Sequence, residues 1–526
     1  MRRRVATAVA LALSMVVGTF QLTAAAPPTD TSALRDAVSV EGIMEHEAAF
    51  QEIAEQNNDT RASGTPGYDE SADYVAGLLE GAGYDVTRQE FDYEQFSETA
   101  EPVLDPTSPD LPPYTPGEDF ATMEYSGSGD VTAPLQAVDV TIPPGAAADS
   151  STSGCEASDF AGFTAGNIAL IQRGTCTFRA KADNAAAAGA VGVIIFNEGQ
   201  EGRTDAIAGT LSSPQVSLPV VGASFAVGEE LYNLLQQGPV TARLATFTLV
   251  ETTTTENVLA DTPSGREDRT VVVGAHLDSV LEGPGINDNG SGSSTILEIA
   301  LQMAELDIAP TNQVRFAFWG AEESGLIGSE YYVSQLTKRD LKDIAVNLNF
   351  DMVGSPNYVR FVYDGDGSDT PVAGPTGSAQ VEDVFLDYFE SVGLETDPTA
   401  FDGRSDYGPF IAVGIPAGGL FTGAEGVKTE EQAAVYGGIA GLAYDPCYHQ
   451  ACDDLVEPNE VPELETAYGS DVLVGNVNTQ AIDEMSDAAA HAVFTFTMTG
   501  SAVPGTGKGP GPSTKSLEFL GHQAKR

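Results

Sequence analysis

The sequence predicts an α/β fold, a mostly parallel central sheet flanked by helices, with a smaller βαβ-like unit ahead of it. Three observations carry the prediction. From Val271 to Phe350, apolar runs of strand length alternate with stretches of helical periodicity, the pattern of a parallel sheet covered on both faces. Residues 167–196 repeat that alternation on a smaller scale. Each strand of the main series is followed by a His or a carboxylate, and in such sheets ligands sit beyond the carboxyl ends of the strands.

The elements follow in order. Arg2, Arg3 and Arg4 precede an apolar run from Val5 to Leu22, then the small residues Ala24, Ala25 and Ala26. That is the layout of a secretory signal over residues 1–26. Gln21 and the scattered Thr7, Ser14, Gly18 and Thr19 make it a poor spanning helix. Asp36 to Asn57 and Gly67 to Tyr84 carry helical periodicity; the second places Ala72, Val75, Leu78 and Leu79 on one face and stops at Gly81 and Gly83. Val86 to Tyr93 alternates as a strand. Glu101 to Gly117 holds six prolines and reads as irregular, with a boundary nearby. Asn167–Gln172 is a buried strand, Arg179–Gly189 an alanine-rich helix and Ala190–Phe196 a second strand. After the threonine run between Glu251 and Glu256 comes the main series. It runs strand Val271–Ala275, helix Ser293–Leu306, strand Val314–Trp319, helix Gly328–Leu336 and strand Val346–Phe350. From Thr499 the composition turns to Gly, Pro, Ser and Lys, as in a flexible or removable tail.

At 526 residues and 42% apolar, the chain is long enough to bury a large core and is not a disordered polymer. Lys and Arg number 24 against 77 Asp and Glu, a formal charge of -53. With no basic block beyond the extreme N-terminus, phosphate neutralisation fails, which excludes nonspecific nucleic-acid binding and attraction to anionic membranes. The acidity fits solubility or salt tolerance. The cysteines are Cys155, Cys176, Cys447 and Cys452. An even count in an exported chain suggests disulfides, and proximity favours Cys155 with Cys176 and Cys447 with Cys452 among the three possible connectivities. Neither pair has the CxxC spacing of a zinc site.

His276-Leu277-Asp278 follows the first main strand, with Asn287-Asp288-Asn289 just beyond; Glu322-Glu323 follows the second and Asp351 the third. Far downstream lies Cys447-Tyr448-His449-Gln450-Ala451-Cys452. His276, Asp288, Glu323, Asp351 and His449 form an inventory of imidazole and carboxylate suited to two zinc ions, with one carboxylate bridging. A single such residue at a strand end is more often structural, but five on one rim, in a chain with only five histidines, are far less easily accidental. Glu322, beside them, is free to act as a base.

Taken together, GAHLDS, GINDNGSGS, FWGAEESGLIGS, NFDMVG, FDGRSDYGPF and CYHQACD resemble the motifs of secreted bacterial di-zinc aminopeptidases of the leucine-aminopeptidase type. RASGTPGYDESADYVAGLL resembles the first helices of that catalytic domain. CEASDFAGF, IALIQRGTCTF and AAGAVGVIIFN resemble the protease-associated domain inserted in it. The resemblance spans roughly Ala33 to Thr499 and implies a zinc-exopeptidase fold. The expected order is signal peptide 1–26, N-terminal part of the catalytic domain 27–130, protease-associated β-rich α+β insert 131–250, main catalytic part 251–500 and flexible tail 501–526.

By motif, the resemblance assigns His276 and Asp351 to one zinc, Glu323 and His449 to the other, and Asp288 to the bridge. Asp278 would orient His276. Glu322 would be the general base and acid, and Tyr448 would donate to the oxyanion. Arg404 and Phe421 would shape the substrate site. The implied reaction is removal of N-terminal, Leu-like residues from peptides with a free N-terminus, outside the cell, by a protein with no stable membrane association. The family also leaves a calcium site open. Cys447–Cys452 would close a loop around Tyr448 and His449, and Cys155–Cys176 would staple the insert. The alternatives are a carboxypeptidase or a glutaminyl cyclase on the same scaffold, or a non-catalytic binding protein. A carboxypeptidase calls for a basic cluster where Arg404 stands nearly alone, and a cyclase needs one metal. A binding protein does not need the intact ligand set. No GxSxG follows a suitable strand, which disfavours a serine hydrolase.

Overall fold

The computed structural model describes residues 30–499, apart from residues 149, 201, 202, 457, 458, 460 and 470. The expected signal segment and the tail 501–526 lie outside the described residues. The strands are β1 Asp85–Ser108, β2 Phe120–Thr122, β3 Gly129–Val138, β4 Ile168–Gln172, β5 Gly192–Phe196, β6 Val220–Ala223, β7 Thr241–Asp261, β8 Arg266–His276, β9 Asn312–Trp319, β10 Ile344–Phe350, β11 Phe361–Tyr363, β12 Asp397–Thr399 and β13 Ala417–Phe421. They form one hydrogen-bonded sheet in the order β12-β11-β13-β10-β8-β9-β7-β3-β4-β5-β6-β2, with β1 paired to β7.

The expected α/β architecture is present, and alternation along each strand explains how it is covered. Val271 and Val273 point to the core shared with the helices Val40–Gln56, Pro66–Ala82, Gly292–Glu305 and Thr479–Met498. Val272, between them, points to the opposite core with Trp319, Tyr332 and Phe410. β9 splits the same way, Phe316 and Phe318 to the first core and Ala317 and Trp319 to the second. The upstream unit repeats the arrangement. Ala169, Ile171, Val193 and Ile195 pack on the helix Phe178–Ala187, while Ile168, Leu170, Ile194 and Phe196 pack toward Val227 and Leu231 of the helix Phe225–Gln237. β10, β8 and β9 run parallel, so their carboxyl ends open on one rim.

One expectation fails. The proline-rich stretch from Glu101 is not irregular throughout, because β1 continues to Ser108 through Pro102 and Pro106. Proline removes a ladder donor, which an edge position or a bulge tolerates. β1 pairs with β7 alone among the described strands, and its register shifts between Glu98 and Ala100, between Ala100 and Val103, and again between Pro106 and Ser108. β7 in turn serves both halves of the sheet. Residues 241–246 pair with β3, and Val258–Asp261 pair with β9. Between those stretches, β1 and β7 run on as a two-stranded ribbon.

Candidate metal centre

His276 is the last residue of β8 and is 1% exposed. Its Nδ1–H donates to the main-chain carbonyl of Asp278 at 3.0 Å, which turns Nε2 into the site. Nε2 then lies 3.2 Å from Asp288 Oδ1 and 3.3 Å from Asp351 Oδ1. His449 approaches from the other side. Its Nε2 lies 3.2 Å from Asp288 Oδ2 and 3.0 Å from Glu323 Oε2. The two oxygens of Asp288 therefore face two different histidines.

The five inventory residues and Glu322 all line one cavity of about 750 Å³ that opens to solvent. Arg404, Phe421 and Tyr448 line it too. Asp278 meets His276 through its main-chain carbonyl. Its carboxylate stands 3.7 Å from the His276 ring nitrogen and instead accepts the main-chain N–H of Glu322 at 3.2 Å and of Glu323 at 3.3 Å. It orients the histidine through its carbonyl and the two glutamates through its side chain. Phe421 stacks on Phe361 while reaching the cavity. Arg404 donates to Glu425 Oε1 at 2.7 Å and to Tyr448 Oη at 3.3 Å, and the Tyr448 ring stacks on His449 with centroids 3.8 Å apart. Both disulfides have the expected partners, Cys155 with Cys176 and Cys447 with Cys452.

The donors fit a zinc centre. His276, Asp288 and Glu323 offer ligand atoms within 4.8 Å of one another, as do His276, Glu322 and Asp351. Asp351 Oδ1 is buried and accepts no hydrogen bond from a described residue. Burial would lower the imidazolium of His276, but Asp351, Glu322, Asp278 and Asp288 raise it well above the usual range. Burial also opposes the charge on His449, and Glu323 and Asp288 overcome it, raising that group to about 10. A divalent cation bound by these groups would displace their protons. Burial raises Glu322 well above the carboxylate range, and Glu323, Asp406 and Asp351 add to the effect while His276 opposes it. A carboxylate of raised proton affinity is the better base.

Several supporting residues were not singled out from sequence. Arg61, wholly buried, donates from its guanidinium to the carbonyls of Leu277, Pro284 and Gly285, holding the loop between His276 and Asp288. Asn289 Oδ1 accepts the N–H of Met352 at 3.1 Å and its Nδ2 donates to the Phe350 carbonyl, so the turn of Asp288 is tied to the loop of Asp351. Ser405 donates to Asp351 Oδ2 at 2.5 Å. All three lie inside motifs quoted above, but a motif does not say which of its polar side chains face inward. Ala321, Met352 and His449 hold left-handed backbone at φ 54°, 52° and 56°. That conformation costs a non-glycine residue about 1–3 kcal/mol and clusters at functional sites. A further acidic cluster, Asp364, Asp366 and Glu382, lies apart, and its buried Asp364 carboxylate already accepts four main-chain N–H groups.

The sequence pattern of peptidase family M28 matches residues 257–463, and that of the PA domain residues 131–231. An aminopeptidase of Pseudomonas aeruginosa is 48% identical over 415 residues, covering 78% of this chain and 76% of the relative. The chain belongs to peptidase family M28. Another relative of this M28 peptidase is a probable leucine aminopeptidase 2 of Aspergillus fumigatus, 42% identical over 386 residues, or 73% of this chain and 70% of the relative. The solved aminopeptidase of Aneurinibacillus sp. strain AM-1 superposes with a TM-score of 0.69 at 26% identity, covering 90% of this chain and 98% of the other. The M28 chain is a metallo-aminopeptidase acting on peptides, with a PA domain. Among its described residues no helix is long and apolar enough to cross a membrane.

Proposed function

We propose that this M28 chain holds two zinc ions, His276 and Asp351 on one, Glu323 and His449 on the other, with Asp288 shared. The observation that carries the reading is the division of Asp288, one oxygen toward each histidine. Zinc in such a pair supplies Lewis acidity, polarising a carbonyl and making water nucleophilic near neutral pH. The chain's own groups do the rest. Glu322, a buried residue lining the cavity, takes a proton from the attacking water as the new C–O bond forms, and returns it to the amine as the C–N bond breaks. Tyr448 accepts from Arg404, which leaves its own O–H to donate to the oxyanion. Its phenol is raised well above the usual range by burial and stays protonated as a donor. Carboxylates around the cavity receive the substrate's free ammonium, and Leu326, Met352, Tyr363 and Phe421 offer apolar surface to a Leu-like side chain. Asp278 holds the peptide units of both glutamates. The leader-like N-terminus supports export to the outside of the cell.

The test pairs elemental analysis with aminoacyl-anilides, free and N-acetylated. Two zinc equivalents per chain and turnover of free leucyl-anilide alone are expected. One zinc at full activity would refute the shared-ligand reading, and equal cleavage of blocked and free substrates would refute recognition of the ammonium.

A further inference from the structure

Asp453 stands just after the Cys447–Cys452 disulfide and is 2% exposed. Nothing in the proposed reaction uses it. Its side chain nevertheless grips the turn that carries Asp288. The N–H of Asn287 donates to Asp453 Oδ1 and the N–H of Asp288 to Oδ2, both at 2.9 Å. The main-chain carbonyl of Asp453 takes the N–H of Ile286 at 3.1 Å. Three consecutive peptide units of the turn thus donate to one residue.

The other end of the disulfide loop is tied to the same turn. Asn287 Nδ2 donates to Asp445 Oδ2 at 2.6 Å. Asn476 closes the arrangement, its Nδ2 reaching Asp453 Oδ1 at 2.8 Å and the two oxygens of Asp445 at 3.0 and 3.1 Å. All of these side chains are buried. The loop bearing Tyr448 and His449 is therefore fastened to the Asp288 turn at both of its ends.

We infer that Asp453 is a positioning residue that fixes the backbone of Asn287 and Asp288, so that the Asp288 carboxylate stays divided between His276 and His449. The inference rests on the metal roles proposed above for Asp288 and the two histidines. The physical reason is that each carboxyl oxygen of Asp453 takes one buried main-chain N–H of the turn. Without it those buried N–H groups have no acceptor in place, and the turn is free to shift. Ligand constellations tolerate only about 0.5 Å of such movement. Partners that orient ligands are typically worth about 10–100-fold in metal affinity or activity.

Asp453→Asn is the decisive variant. It is nearly isosteric, and its amide oxygen can still face the Asn287 N–H and the Asn476 amide. Its NH2 then meets the Asp288 N–H, donor against donor. Asn476→Ala is the companion, since it opens the same buried cluster while leaving both N–H bonds to Asp453 intact. Zinc is titrated into metal-free wild type and both variants against a competing chelator. Thermal unfolding of the metal-free forms and kinetics at saturating zinc are measured beside it. The expected result is a 10–100-fold loss of zinc affinity in Asp453→Asn, with kcat reduced and KM little changed. Asn476→Ala should lower the unfolding temperature yet bind zinc as wild type does. Wild-type affinity in Asp453→Asn overturns the inference alone. Failure of that variant to fold, or an equal affinity loss in Asn476→Ala, makes the cluster a general scaffold and also overturns it. Wild-type protein that takes up no zinc overturns the metal reading, and this inference with it.

Discussion

Tyr448→Phe removes one oxygen atom and little else. The stacked ring on His449, with centroids 3.8 Å apart, is preserved by phenylalanine. The lost ground-state contact is the 3.3 Å hydrogen bond from Arg404, whose guanidinium keeps Glu425 at 2.7 Å. Stability should therefore change by about 1 kcal/mol or less, the net worth of an ordinary hydrogen bond. The transition state loses more. A donor aimed at developing oxyanion charge is typically worth about 2.7–4 kcal/mol, or about 10²–10³ in kcat. That charge is absent from the bound substrate, so KM should move little. Steady-state kinetics on leucyl-anilide, with zinc content and thermal unfolding measured in parallel, give the three quantities separately. A change confined to KM would reassign Tyr448 to substrate binding. A kcat within about threefold of wild type would remove it from the oxyanion site.

Three further outcomes are expected. Glu322→Gln should keep its zinc but lose about 10²–10⁴ in kcat, the usual worth of a positioned base, whereas Glu323→Ala should lose metal; reversed metal contents would exchange the two roles. In metal-free protein, His449 is raised to about 10 by Glu323 and Asp288 against the opposing effect of burial. A raised group stabilises fully below its unfolded value of about 6.5, and that stability is lost as pH rises through about 10. Urea unfolding of the metal-free form should weaken across that window, and His449→Gln should reduce the dependence, leaving the part that His276 contributes. Lys428 behaves oppositely, because burial, aided by Arg360, lowers it to about 7. The unfolded chain then takes up its proton first as pH falls from about 10.5, so stability rises with pH between about 7 and 10.5. Lys428→Met should flatten that slope in the zinc-loaded enzyme, and an unchanged slope would show that Lys428 is charged in the fold.

The main strands and helices were legible because apolar runs of opposite period bracket them. Val271–Ala275 lies within β8, and the helix expected over Ser293–Leu306 is Gly292–Glu305. The rim residues were legible because a strand end fixes where the next side chain goes. His276, Glu322, Glu323 and Asp351 reach the same cavity for that reason. What the sequence hid was of two kinds. Pro102 and Pro106 argued for a break, since a proline carries no sign that its strand lies at an edge. Arg61 and Asp453 act by gripping main-chain atoms of distant segments. Main-chain partners leave no residue type to read, so such contacts are invisible until the fold brings them together. Asp278 shows the limit within a motif, its carbonyl and carboxylate facing different residues.

The ribbon of β1 and β7 carries the PA unit on a two-stranded stem. On its catalytic side Phe91 and Tyr93 pack with Ala321. A few residues on, Phe96 and Val250 pack instead against the PA core. Gln95 stands opposite Glu251 in register between those two sets. A strand pair that enters and leaves an insertion in antiparallel register can be closed by a two-residue turn such as Asn-Gly. Splicing Gln95 to Glu251 in that way would shorten β1 and β7 but leave β8, β9 and β10 and the core they share untouched. The aminopeptidase would be left with a blunt loop, and the PA unit would become a detachable cassette whose contribution can be measured by its absence.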